Sequence, residues 1–310
     1  MRTRKIGRLD VTVVGLGCNN FGMRVDESAT ARVVDAAIDA GINLFDTADI
    51  YGGTKSEEYL GRALAGTKRD RVVLATKFGA PVSDELKGAA PAYVRTAAEA
   101  CLRRLGTDRI DLLQLHVPDP STPIGDTLTA LDELVREGKV REIGCSNFGA
   151  DLMSEAEAAA DARGVGRFVS VQNHLNLLNR DPALGAAGVH GLAYLPFFPL
   201  ASGMLTGKYR RNEAPPEGTR LAGFPEIRRG QVMSDATFDT VEALATFAAD
   251  RGHTLVELAF QWLLAQGPVA SVIAGATSPE QVAANAAAGT ADWSLRAADL
   301  AEIDRITGAA

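Results

Sequence analysis

Two spacings of apolar residues alternate along this chain. Short runs rich in Val, Ile, Leu and Phe read as buried strands, and eight of them fall at residues 13–15, 43–46, 72–77, 111–116, 140–146, 168–172, 192–197 and 269–274. Between the early runs, apolar residues recur three and four apart over residues 28–40, 56–64, 91–105, 125–137 and 150–162, the period of an amphipathic helix. Two further helices are predicted late in the chain. One covers 278–288, where Ser278 stands as a cap before Pro279 and Glu280, and the other 295–307. Strands alternating with helices predict parallel βα units, and eight of them predict closure into a (β/α)8 TIM barrel.

Some segments stand outside that alternation. Residues 3–6 and 9–12 alternate around Gly7-Arg8 and predict an N-terminal β-hairpin capping the barrel core, and 295–307 predicts an extra C-terminal helix packed outside the ring. The glycine-rich stretch 16–22 is not a GxGxxG dinucleotide fingerprint, because no helix follows it at once. Residues 201–234 carry Gly, Pro and Arg without period, too long for a plain connection, and predict a loop folded over a ligand.

Composition narrows the function. With 310 residues and 46% hydrophobic content the chain can bury a large core, and without a linker rich in Pro, Gly or Ser it is expected to form one domain over 1–310. A net charge of -7 with scattered Lys and Arg gives no footprint for nucleic acid. No apolar run reaches the ~20 residues of a membrane span, and the first residues lead into no signal-peptide core, so a cytoplasmic protein is expected. Cys18, Cys101 and Cys145 are odd in number and far apart, as reduced thiols are.

The candidate chemistry lies where strands stop. Asp46 closes one strand, Tyr51 follows five residues later, and Lys77 and His116 close the next two strands, so all four leave one face of the predicted barrel. A phenol with a pKa of about 10 gives up its proton only with help. A buried ammonium supplies that help, a carboxylate holds the ammonium, and an imidazole can hydrogen-bond a carbonyl oxygen. Taken singly, each residue is better explained as part of an ion pair, a loop cap or a core histidine; the four together point to a site.

These residues, with Gly41-Ile42-Asn43-Leu44-Phe45-Asp46-Thr47-Ala48, Asp111-Leu112-Leu113-Gln114-Leu115-His116, Gly144-Cys145-Ser146-Asn147-Phe148 and Gly275-Ala276-Thr277-Ser278-Pro279-Glu280-Gln281, resemble the aldo-keto reductase superfamily over essentially the whole length. Gly275-Ala276-Thr277 with Gln281 resembles the branch near the potassium-channel β subunits. The resemblance implies a barrel that binds NADP(H) without a Rossmann fold, Tyr51 as general acid, Lys77 lowering its pKa, Asp46 orienting Lys77, and His116 orienting the substrate. Ser146, Asn147 and Gln172, placed at the ends of the fifth and sixth strands, would hold the nicotinamide carboxamide, with Phe197 stacked on the ring. Gly17, Cys18, Asn19 and Asp46 complete that end. Pro199, Leu200, Ala201, Ser202, Gly203 and Lys208 belong to the long loop, which in the family folds over the pyrophosphate. Gly275, Ala276, Thr277, Gln281 and Asn285 open a helix whose N-terminus favours phosphate.

Many relatives place Lys or Arg at 275–277 for the extra phosphate of NADP, and this chain does not. Lys208 and Arg220 resemble residues that serve that purpose in the channel-subunit branch, which keeps NADPH ahead of NADH, the alternative. Phe21, Arg24, Phe78 and Phe148 are expected to wall the pocket of a small-molecule carbonyl substrate, with no metal required. Two rival readings are a Schiff-base lyase using Lys77 and a nucleotide-binding redox sensor with little turnover. Natural substrate, reaction direction and oligomeric state are not readable from the sequence.

Overall fold

The short apolar runs form strands with little exposed surface in a computed structural model of the protein, which describes residues 1–309. Two strands open the chain: β1 (Thr3–Ile6) and β2 (Leu9–Thr12) pair antiparallel through a turn at Gly7 and Arg8. The next eight run parallel: β3 (Val14–Gly17), β4 (Leu44–Asp46), β5 (Val73–Phe78), β6 (Ile110–Leu115), β7 (Val140–Ser146), β8 (Ser170–His174), β9 (Ala193–Phe197) and β10 (Val272–Gly275). Each of β3 to β8 pairs with the strand that follows it, and β10 pairs with β3. At the remaining seam, Tyr194 on β9 donates its N–H to the Pro268 carbonyl at 2.8 Å and accepts from Ala270 N–H at 2.9 Å. The sheet thus forms the nearly closed (β/α)8 barrel that the alternation predicts.

Six helices follow β3 to β8 in turn: α1 (Glu27–Asp39), α2 (Lys55–Ala63), α3 (Pro91–Leu105), α4 (Ile124–Arg136), α5 (Ala150–Arg163) and α6 (Leu184–Val189). Between β9 and β10 lie α7 (Glu226–Val232), α8 (Asp235–Ala249) and α9 (Leu255–Ala265); α10 (Pro279–Thr290) and α11 (Ala297–Thr307) follow β10. The sequence reading missed α6 to α9. Two of these are single short segments, and α9 is buried on nearly every side, so it shows no amphipathic stripe. Its start was nonetheless marked by the capping box of Thr254 and Glu257. Among the described residues, no helix is long and apolar enough to cross a membrane.

The hairpin plugs the end of the barrel where the strands begin. Ile6, Leu9 and Val11 pack in one cluster with Leu44, Val73, Ala75, Leu112, Leu195 and Ile273. Asn43, expected in a strand, ties the hairpin down instead: its Oδ1 accepts from Thr12 N–H at 2.7 Å and its Nδ2 donates to the Asp10 carbonyl at 2.9 Å.

Candidate active site

Successive residues of a strand face opposite sides, so positions two apart share a face. On β4, β5 and β6 that rule carries the chain from the plugged end to the open one: Leu44 precedes Asp46, Ala75 precedes Lys77, and Leu112 precedes Gln114. On β8, Gln172 joins them. Asp46 Oδ2 accepts from Lys77 Nζ at 2.7 Å, while Oδ1 accepts from Gln114 Nε2 at 3.2 Å and from Gln172 Nε2 at 2.9 Å. Lys77 Nζ also donates to the Thr47 carbonyl at 2.8 Å and lies 3.4 Å from Tyr51 Oη. Both members of the ion pair are buried. The sequence reading had Gln172 closing its strand; β8 runs on to His174, because His174 keeps pairing with Phe197 on β9.

The protonation states follow from burial and neighbours. Burial pushes the Lys77 ammonium toward losing its proton, but Asp46 and Tyr51 outweigh that and hold its pKa above the usual lysine value. Burial raises the Tyr51 phenol, with Lys77 opposing and Asp46 adding to it. Tyr51 therefore keeps its proton at neutral pH, and the expected downward pull of Lys77 is present but loses to burial in this structure. Burial, aided by Lys77, drops His116 to about 3, which leaves the imidazole neutral. Its ring meets Tyr51 edge to face at 5.8 Å, and its buried Nδ1 has no hydrogen-bond partner among the described residues. Asn147, at φ +60°, donates to the His116 carbonyl at 2.9 Å, so a left-handed residue steadies the neighbouring strand end.

Asp46, Tyr51 and His116 border a cavity of about 710 Å³, a size suited to a small molecule or cofactor. Lys77 lies behind its wall. Of the residues expected around a dinucleotide, Gly17, Cys18, Asn19, Ser146, Asn147, Gln172 and Phe197 line the cavity near Tyr51. Pro199, Leu200, Ser202, Gly203, Lys208 and Arg220 line it along the long loop, and Gly275, Thr277, Gln281 and Asn285 line it at α10. Phe197 stacks on His174 at 5.4 Å with the planes 9° apart, which fixes its ring. Gly203, at φ +98°, leaves room for the Lys208 stem, which a Cβ there would meet at 2.8 Å. A Cβ at Gly275 would come within 3.2 Å of Asn20 Nδ2. Arg220 lies over the Phe198 ring at 4.9 Å, and Arg24 donates to the Gly218 carbonyl, joining the glycine-rich loop to the long one.

Five expectations are corrected. Phe21, Phe78 and Phe148 are buried in the core and do not border the cavity. Phe78 follows the inward-facing Lys77 and so must face outward, Phe148 packs edge to face on Phe168 at 5.8 Å, and Phe21 is turned inward under its loop. Ala201 and Ala276 do not line the cavity either, since both methyl groups pack against the core. Of the expected substrate walls only Arg24 remains. The sequence reading missed Asn20, Phe198 and Thr219, each next to a residue it did name. Among the described residues, no group of three His, Cys, Asp or Glu could hold a metal ion.

Comparison with known proteins bears on what this geometry serves. The sequence profile described as the Aldo/keto reductase family matches residues 13–307. An uncharacterized oxidoreductase of Bacillus subtilis, YrpG, is 34% identical, covering 88% of this chain and 86% of the relative. A second, YqkF, is 33% identical, covering 94% and 92%. A probable voltage-gated potassium channel subunit beta of Arabidopsis thaliana is 30% identical, covering 92% and 90%.

Proposed function

The chain belongs to the aldo/keto reductase family, which implies NAD(P)H-dependent oxidoreduction of carbonyls; on that premise we propose that it reduces an aldehyde or ketone to the alcohol, with NADPH as the preferred cofactor, Tyr51 as proton donor, and the whole chain acting as one cytoplasmic unit. The observation that carries the reading is the contact of the Tyr51 hydroxyl with the charged Lys77 at a cavity wall shared with neutral His116.

The residues present fit the dinucleotide. A glycine at 275 leaves space beside Asn19 and Asn20, the N-terminus of α10 stands at one end of the cavity, and Asn20 Oδ1 is buried without a partner among the described residues. Ser146, Asn147 and Gln172 would hold the carboxamide, Phe197 would support the ring, and Lys208 and Arg220 would take phosphate charge. When bound, the cofactor supplies the hydride. Tyr51 Oη passes its proton to the carbonyl oxygen as the carbon gains hydride, and the ammonium beside it stabilises the phenolate left behind. His116, neutral, keeps one N–H to orient that oxygen.

Fluorescence titration of the protein with NADPH and, separately, NADH tests the cofactor, followed by a panel of aldehydes and ketones. Tighter binding of NADPH and turnover on the panel support the reading; equal binding of NADH moves the preference, and no binding of either removes the reductase. A Schiff-base role for Lys77 draws no support from the geometry, since Asp46 and Thr47 hold its amine behind the cavity wall.

A further inference from the structure

Behind Lys77 lies a second set of charges that the proposed reaction does not use. Asp49 is 2% exposed and Glu57 is fully buried. Glu57 is well partnered: Oε2 accepts from Arg104 Nε at 2.6 Å, and Oε1 from Thr76 Oγ1 at 2.6 Å. Asp49 is less so: the Ile50 N–H hydrogen-bonds its carboxylate, but its buried Oδ1 has no hydrogen-bond partner among the described residues. The titratable and charged groups that act on it come from three elements: Glu57 on α2; Tyr93, Cys101 and Arg104 on α3; and Lys77 on β5. Arg104 is engaged by Glu57 and Lys77 by Asp46, so a negative charge on Asp49 would stand beside Glu57 with no cation of its own. Burial, then Glu57, accordingly raises the Asp49 carboxyl to about 7.

Asp49 also sits in the segment that aims Tyr51. Its N–H donates to the Lys77 carbonyl at 3.1 Å, the Thr47 carbonyl accepts from Lys77 Nζ at 2.8 Å, and Tyr51 N–H donates to the Ala48 carbonyl at 3.2 Å. We infer that Asp49 is a positioning residue that must carry a proton for residues 47–51 to hold Tyr51 against Lys77, and that loss of this proton sets the alkaline limit of carbonyl reduction. Repulsion from Glu57 would drive an ionised Asp49 away, and the bond from its N–H to the Lys77 carbonyl couples that movement to residues 47–51. This inference rests on the reductase reading above.

The test compares kcat/KM against pH for the full-length protein and Asp49→Asn, an uncharged stand-in for the protonated acid, using NADPH and a carbonyl from the panel. The parent should lose activity as pH rises past neutrality. Asp49→Asn should retain activity within about threefold of the parent at pH 6 and exceed it about tenfold one unit above the parent's midpoint, as removal of a single titration requires. Melting temperature against pH gives a readout free of turnover. The unfolded chain releases the Asp49 proton near pH 4 and the folded chain only near 7, so the parent loses stability as pH rises through that window. Asp49→Asn should lack that loss and melt higher at pH 8. An unchanged alkaline limb, or a variant that fails to fold at pH 8, overturns the inference. A parent that reduces no carbonyl but shows the expected melting difference from Asp49→Asn overturns the reductase reading and leaves the proton on Asp49 standing.

Discussion

Leu44 and Asp46 share one face of β4, two residues apart, yet they belong to opposite kinds of structure. At the end where the strands begin, Leu44, Leu112 and Leu195 meet Ile6, Leu9 and Val11 in an apolar cluster held by burial, which has no direction. At the other end, Asp46, Lys77, Gln114 and Gln172 are held by bonds that work only at particular distances and angles. The first end can lose a methyl group and stay in register. The second cannot lose a donor without stranding an acceptor, and Gln114 Oε1 and His116 Nδ1 are already buried without partners among the described residues. One set of strands thus keeps its tolerance for change at one end and its geometry at the other.

Substitutions can pull these two ends apart. The largest effect is expected from Tyr51→Phe, which should cut kcat about 10²–10⁴-fold while leaving NADPH titration and melting nearly unchanged; turnover that survives would take the acid role from Tyr51. Lys77→Met should damage both properties, because Asp46 would stay buried without its cation, a loss of about 3–5 kcal/mol in urea unfolding. Leu112→Ala should lower stability by about 2–5 kcal/mol and spare kcat, and a matching fall in kcat would show that the two ends are not separable. The smallest effect belongs to Arg8→Ala at the plugged end. Arg8 is exposed, and its backbone N–H still reaches Glu142 Oε1 at 2.8 Å, so less than about 1 kcal/mol should be lost.

The same contrast explains what could be read without coordinates. Strand ends, glycines and polar residues in apolar surroundings leave marks in one dimension, so Asp46, Tyr51, Lys77 and His116 could be named and their shared face foreseen. The barrel followed from period alone. Aromatic residues leave no such mark, because a phenylalanine suits a core and a pocket wall equally. Phe78 was still decidable, since Lys77 beside it must face inward. Phe21 and Phe148 were not, because they sit in loops where no period applies. The bond from Gln172 to Asp46 joins residues 126 positions apart, and nothing local announces it. The charges around Asp49 escaped notice for a similar reason: Arg104 meets Glu57 only once α2 and α3 have packed.

The seam between β9 and β10 has a consequence for how the molecule assembles. Every other junction in the sheet is a ladder of paired residues, whereas Tyr194 and its two bonds to residues 268 and 270 hold this one. Arg4 of the hairpin reinforces it by donating to the carbonyls of Val269 and Leu264. Pairing β3 with β10 joins chain segments more than two hundred residues apart, so its loop entropy is among the largest in the fold and is recovered late. The hairpin thus acts as the clasp on a ring whose final link is made last, and amide hydrogens at Tyr194 and Ala270 should exchange ahead of those in the ladder of β5 and β6.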